Sequence, residues 1–232
     1  MEEKEKLEGQ ENLGEKEDTE QKKGRKKKKE RVLTPAEHKR LEDFTRLTED
    51  MKAQGYTYRL LTIGIGFANV FAAVFLIPLF VIGYGLFYLI HHRFEFIGMG
   101  PVTFVVVFVV LIIVHELIHG ISWSLFAPHH FGDIAFGFMK STLTPYCTCL
   151  VPLKKWQQVF GAAMPLILLG ILPMIFGLVT GNMAFVFMGI VMTDGASGDI
   201  LVIHKILTYK STAMEVIYID HPTEAGTVVF ER

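Results

Sequence analysis

Between Leu60 and Leu207 the chain is built almost wholly of apolar runs close to the length of a bilayer crossing. A helix of about 20 apolar residues rises about 30 Å, the thickness of the hydrocarbon core. Several such runs in series leave few options, because backbone polar groups in lipid have to be satisfied inside helices or closed sheets. Half of the residues are hydrophobic and 19 are Phe, while the charged residues gather at the ends, so a net charge of −1 hides a divided molecule. The expected fold is an all-α polytopic membrane protein. It has about four transmembrane helices, a small β-hairpin between spans two and three, and a disordered charged N-terminal tail.

Four segments follow from the composition. Residues 1–33 form a charged tail, acidic from Glu2 to Glu20 and basic from Lys22 to Arg31. Nothing in it can build a core, and the basic block carries no interleaved aromatic residues, which argues against nucleic acid and for anionic headgroups. Residues 34–55 read as an amphipathic helix, with Thr34, Pro35 and Glu37 as its start, Leu41, Phe44, Leu47 and Met51 as its stripe, and Gly55 as its stop. Residues 56–208 hold the four spans, and residues 209–232 form a C-terminal tail with one short strand near Glu215–Asp220. The highly charged start predicts no cleavable signal peptide, and two cysteines, Cys147 and Cys149, imply no disulfide framework.

Span one is expected within Arg59–Ile90, which is roughly 48 Å as a helix and so tilted or kinked, with Pro78 as the break. His91, His92 and Arg93 mark a solvated loop. Span two runs from about Val102 to Leu125. Asp133–Met139 and Leu143–Val151 suggest paired strands around Lys140-Ser-Thr. Span three covers about Val159–Val179, with close packing and a kink at Pro165. Span four covers about Met183–Leu207. Lys and Arg before span one and after span two place both termini and the hairpin in the cytoplasm of a multi-pass cell-membrane protein.

Span two carries the chemistry. His115, Glu116 and His119 sit inside Val109–Gly120, a run with no Lys or Arg. Residues four apart share a helix face, so the two imidazoles can reach one ion, with Glu116 beside them. A charge at this depth costs at least roughly 2.5–3.5 kcal/mol, so it needs a partner. That partner is a divalent cation in the H-E-x-x-H arrangement, or else a hydrogen-bonded polar cluster. A third ligand has to come from elsewhere. Ser122 and Leu125 stand where an extended motif would need Gly and His, and no Glu follows until Glu215. Asp133, Asp194 and Asp199 remain. Counted from the outer ends of their spans, the two His lie roughly 20–26 Å deep, Asp199 roughly 26 Å and Asp194 roughly 18 Å. Asp199 is therefore favoured as the ligand, with Asp194 as the alternative. Ser197 and Gly198 were expected to let this part of span four approach span two closely.

These residues, His-Glu-Leu-Ile-His-Gly in one span, a Pro-containing hairpin, Ser-Gly-Asp-Ile in the last span and Asp220-His-Pro-Thr-Glu-Ala-Gly in the tail, resemble a prokaryotic family of zincin membrane peptidases. More distantly they resemble site-2-type intramembrane metalloproteases, although no Asn-Pro pair precedes Asp199 here. The resemblance implies that His115, His119 and Asp199 hold one Zn2+ and that Glu116 is the catalytic base. The expected function is a zinc-dependent, membrane-embedded metalloprotease. It would hydrolyse peptide bonds of membrane or membrane-adjacent proteins through a zinc-activated water. Its partners would be a polypeptide substrate and the lipid bilayer. The alternative is a non-hydrolytic membrane metal-binding or scaffold protein, and a weaker one is an ion transporter.

Overall fold

The computed structural model describes residues 35–97, 99–139 and 144–232. The expected charged tail, the capping Thr34 and the Lys140–Thr142 turn lie outside the described residues. The chain is mostly helical, with two small sheets. Three helices are long and apolar enough to cross a membrane, or four if a bent pair counts as one.

Helix α1, Pro35–Ala53, is followed at once by strand β1, Thr57–Thr62. Phe44, Leu47 and Met51 do form the apolar stripe, and they pack on Tyr56, Ile219, Val228 and Phe230. The partner of that stripe is a three-stranded antiparallel sheet of order β1-β5-β4, with β4 at Val216–Asp220 and β5 at Gly226–Glu231. Central β5 alternates between two apolar surroundings, as a strand buried on both faces must. Val228 and Phe230 face α1, while Val229 packs with Ile206 and Tyr218.

This sheet corrects the start of span one. Residues 57–62 are a strand paired with 226–231, so the first long helix, α2, begins only at Ile65 and ends at His91. It runs 27 residues, with Pro78 inside it. His91 is not a solvated loop residue: its Nε2 lies 2.7 Å from the Leu178 carbonyl, and Arg93 donates to Gly181 at 2.5 Å. Both side chains thereby satisfy carbonyls at a helix C-terminus that have no partner within their helix.

Helix α3, Pro101–Ser124, opens on Pro101, which suits a first-turn position. Strands β2, Ile134–Met139, and β3, Thr144–Cys149, form the expected hairpin. Helix α4 runs from Lys155 to Thr180 and widens into a π-helical stretch at Leu166–Ile171, directly after Pro165. The expected single fourth span is broken. Helices α5, Met183–Gly195, and α6, Ser197–Thr208, meet at a bend of 51°. The hinge, Gly195-Ala-Ser-Gly198, has no large side chain to brace a straight helix. Lys155 holds the end of α6 by donating to the carbonyls of Leu207 and Tyr209.

Candidate metal centre

The four-residue spacing on α3 brings His119 Nε2 to 3.1 Å from His115 Nε2. Asp199 Oδ2 lies 3.2 Å from His115 Nε2 and 3.4 Å from His119 Nε2. Three donors held around one ion by bonds of about 2.0–2.1 Å stand about 3.3–3.4 Å apart when the geometry is tetrahedral. The observed edges of 3.1, 3.2 and 3.4 Å lie within about 0.2 Å of those values, and the two imidazoles and one carboxylate are a zinc-type donor set. Both His are buried and Asp199 is half-buried. Among the described residues this is the only such cluster of three.

The break before α6 is what brings Asp199 there. It sits in the first turn of α6, just past the bend. The alternative ligand, Asp194, lies before the bend and is not brought to the cluster; its Oδ1 is buried without a hydrogen-bond partner among the described residues. The expected close approach at Gly198 does not occur, since a Cβ there would meet open space. Helix α4, packed on both α3 and α6, holds the two together. Neither His204, which is exposed, nor Lys205, which donates to Thr62 O at 2.5 Å, pairs with Asp199. Asp133 is engaged elsewhere, by the backbone N–H and ring of His129.

The second nitrogen of each ligand ring decides which way the first one points. His119 Nδ1 lies 2.9 Å from the carbonyl of Gly161 on α4. As the donor, Nδ1–H fixes the tautomer that leaves Nε2 free to bind an ion. Pro165, four residues past Gly161, has no N–H to give that carbonyl, so the helix itself leaves the acceptor open. The close approach also needs Gly161, because a Cβ there would fall 2.0 Å from Trp123 Nε1. Trp123 stacks on His119 with centroids 5.0 Å apart and donates to Gln158 O at 3.3 Å.

Glu116 lies on the neighbouring face of α3 and lines a cavity of about 600 Å³ together with His115, His119 and Asp199. The β-hairpin supplies another wall through Tyr146, Cys147 and Thr148, which places Cys147 and Glu116 in the same cavity. The hairpin reaches α3 because residue 120 is Gly: a Cβ there would lie 2.4 Å from the Phe136 ring and 3.3 Å from Cys147 Sγ. Burial pushes the Cys149 thiol up to about 12 and holds Cys147 higher still, so both stay protonated. They are packed free thiols, as expected.

The sequence alone assigns no role to several cavity residues. Asp220 accepts from Cys149 N at 3.0 Å, Thr148 Oγ1 at 3.3 Å and Gln158 Nε2, tying β4 to the hairpin and to α4. The loop 221–226 lines the cavity, with His221 Nδ1 accepting from the backbone N–H groups of Thr223 and Glu224. Asn69 and Arg40 line it too. The partners of Asp220 lie far away in sequence.

Residues 108–214 match the model of a family described as "Putative zincin peptidase". The matched segment begins within α3 and ends after α6, so it holds His115, Glu116, His119 and Asp199. No curated protein and no solved structure matches the chain.

Proposed function

From the premise that residues 108–214 are those of the putative zincin peptidase family, we propose that this chain is a zinc-dependent membrane metallopeptidase. His115, His119 and Asp199 hold the ion, and Glu116 is the proton-transferring residue. What carries the reading is the three-donor triangle with tetrahedral edges beside a carboxylate in the same cavity. The bound ion would supply Lewis acidity, bringing the acidity of water into the neutral range and polarising a carbonyl.

The chain's own residues do the rest. The Glu116 carboxylate takes a proton from the attacking water and hands it to the leaving amine nitrogen. Gly161, through the Nδ1 of His119, holds the ring that binds metal. The exposed edge of the hairpin is a template for an extended polypeptide, which would add to it as a strand.

Helices α2, α3, α4 and the bent pair α5–α6 span the bilayer in this reading, with both termini cytoplasmic. The outward faces of α2 and α3 are apolar, as with Val74, Ile77, Val81, Val105 and Val109. The substrate is a membrane or membrane-adjacent protein. The test is Glu116→Gln in the purified, zinc-loaded protein. Zinc should stay at one ion per chain while cleavage of membrane-protein substrates falls by about 100-fold or more. Undiminished cleavage would remove Glu116 from the role.

A further inference from the structure

Helix α2 contains one carboxamide, Asn69, in an otherwise apolar first half. The other polar side chains of α2, Tyr84, Tyr88 and His91, belong to its far half. Asn69 lies on the face that lines the metal-centre cavity, with Ala68 and Ile65 beside it. Its amide is exposed and hydrogen-bonds to no other group among the described residues, so it is open to a bound partner, and in an apolar setting it would gain from one. Helices α2 and α3 hardly touch, yet both line this cavity, so Asn69 and Glu116 border the same open space rather than a packed interface.

A carboxamide offers a donor and an acceptor side by side, the same pair that an extended peptide shows along its edge. It carries no charge, so it would neither compete for the ion nor repel Glu116. We propose that Asn69 is a substrate-binding residue. It grips the main chain of the bound polypeptide next to the scissile bond, on the side away from β3. The extended segment then runs between β3, where the Cys147 N–H and the outward carbonyls can meet it, and the Asn69 amide. This rests on the metallopeptidase reading above.

The test compares two probes on the full-length, zinc-loaded protein in nanodiscs. One is a peptidyl hydroxamate several residues long, and the other is acetohydroxamate, which chelates metal but has no peptide chain. Asn69→Leu should weaken the peptidyl probe by about 10- to 100-fold, the worth of one or two buried hydrogen bonds, and leave acetohydroxamate within about twofold. Asn69→Gln, which keeps the amide, should recover part of the loss. With a cleaved substrate, KM should rise more than kcat falls. Leu suits an apolar helix, so the variant should melt no lower than the parent.

Unchanged affinity of Asn69→Leu for the peptidyl probe would overturn the proposal and leave the metallopeptidase reading standing. Equal loss of both probes would overturn it too, because Asn69 would then be acting on the metal centre. Failure of the zinc-loaded parent to bind either hydroxamate would instead sink the metallopeptidase reading, and this proposal with it.

Discussion

His119 Nδ1 stands 2.9 Å from the Gly161 carbonyl, an acceptor that its own helix leaves open because Pro165 sits four residues on. The imidazole on α3 is thus oriented by an imperfection in α4. The proline that frees the carbonyl also precedes the π-helical stretch at Leu166–Ile171.

Pro165→Ala follows from that arrangement. Alanine restores an N–H that competes with His119 for the Gly161 oxygen. The helix should gain stability, since an interior proline costs about 3 kcal/mol or more. The metal centre should lose the hydrogen bond that orients its ligand, and zinc affinity should fall by about 10- to 100-fold. Competition with a chelator, alongside a melting curve, reads the two effects separately. A variant that is more stable and binds zinc as tightly as the parent would show that His119 needs no orienting bond.

The two aspartates near the bend in the last helix pair should respond in opposite ways. Asp199→Asn removes a charged donor from the triangle, and zinc affinity should drop by more than the roughly 10- to 100-fold of a change outside the ligands. Asp194→Asn touches no ligand and removes a carboxylate whose Oδ1 has no hydrogen-bond partner among the described residues. Placing a charge at bilayer depth costs roughly 2.5–3.5 kcal/mol, so this variant should keep its zinc and melt several degrees higher. Zinc content and melting point, measured on both proteins, decide it. Loss of zinc from Asp194→Asn would return that residue to the ligand set.

The sequence revealed what is local and concealed what is not. His115, Glu116 and His119 were legible because helix geometry turns a four-residue spacing into one face, and Asp199 because few buried acids exist at its depth. The bend at Ala196 was not legible. Gly195, Ala196, Ser197 and Gly198 permit a bend without demanding one, and the packing of α4 against α6 selects it. Thr57–Thr62 read as the start of a span because its strand partner, 226–231, lies at the far end of the chain. Gln158 was hidden for the same reason, and Asp220, though part of the tail motif, shows what it holds together only when β4 is laid against α4 and the hairpin.

Gly120→Ala tests how the hairpin is held on α3. The added methyl would lie 2.4 Å from the Phe136 ring, with Cys147 Sγ at 3.3 Å, so the hairpin has to shift. Overpacking of this kind costs about 1–3 kcal/mol. Because Cys147 lines the cavity together with Glu116, the shift should also lower kcat while zinc content holds. A variant with unchanged kcat and unchanged melting point would mean that the hairpin is free to move without affecting Glu116.

Asp220 gives the fold a pH dependence whose sign is set by burial. Burial raises its carboxyl to about 6, against the lowering effect of the hydrogen bonds from the Cys149 N–H, Gln158 and Thr148. The unfolded chain ionises this group at about 3.9. Stability from Asp220 is therefore fully present below about pH 4 and is lost as pH rises through about 6. In Asp220→Asn the amide can still accept from Cys149 N. Its NH2 can donate to Gln158 Oε1, which has no hydrogen-bond partner now, once the Gln158 amide turns over. The variant should fold, and its melting point should lose the decline between about pH 4 and pH 6 that the parent shows. Asp220→Ala leaves the Cys149 N–H and the Gln158 amide without their acceptor, so it should destabilise by about 1–3 kcal/mol at every pH. Thermal melts of the three proteins across pH 4–7 separate the cases, and parallel curves for the parent and Asp220→Asn would show that Asp220 is ionised in the fold throughout.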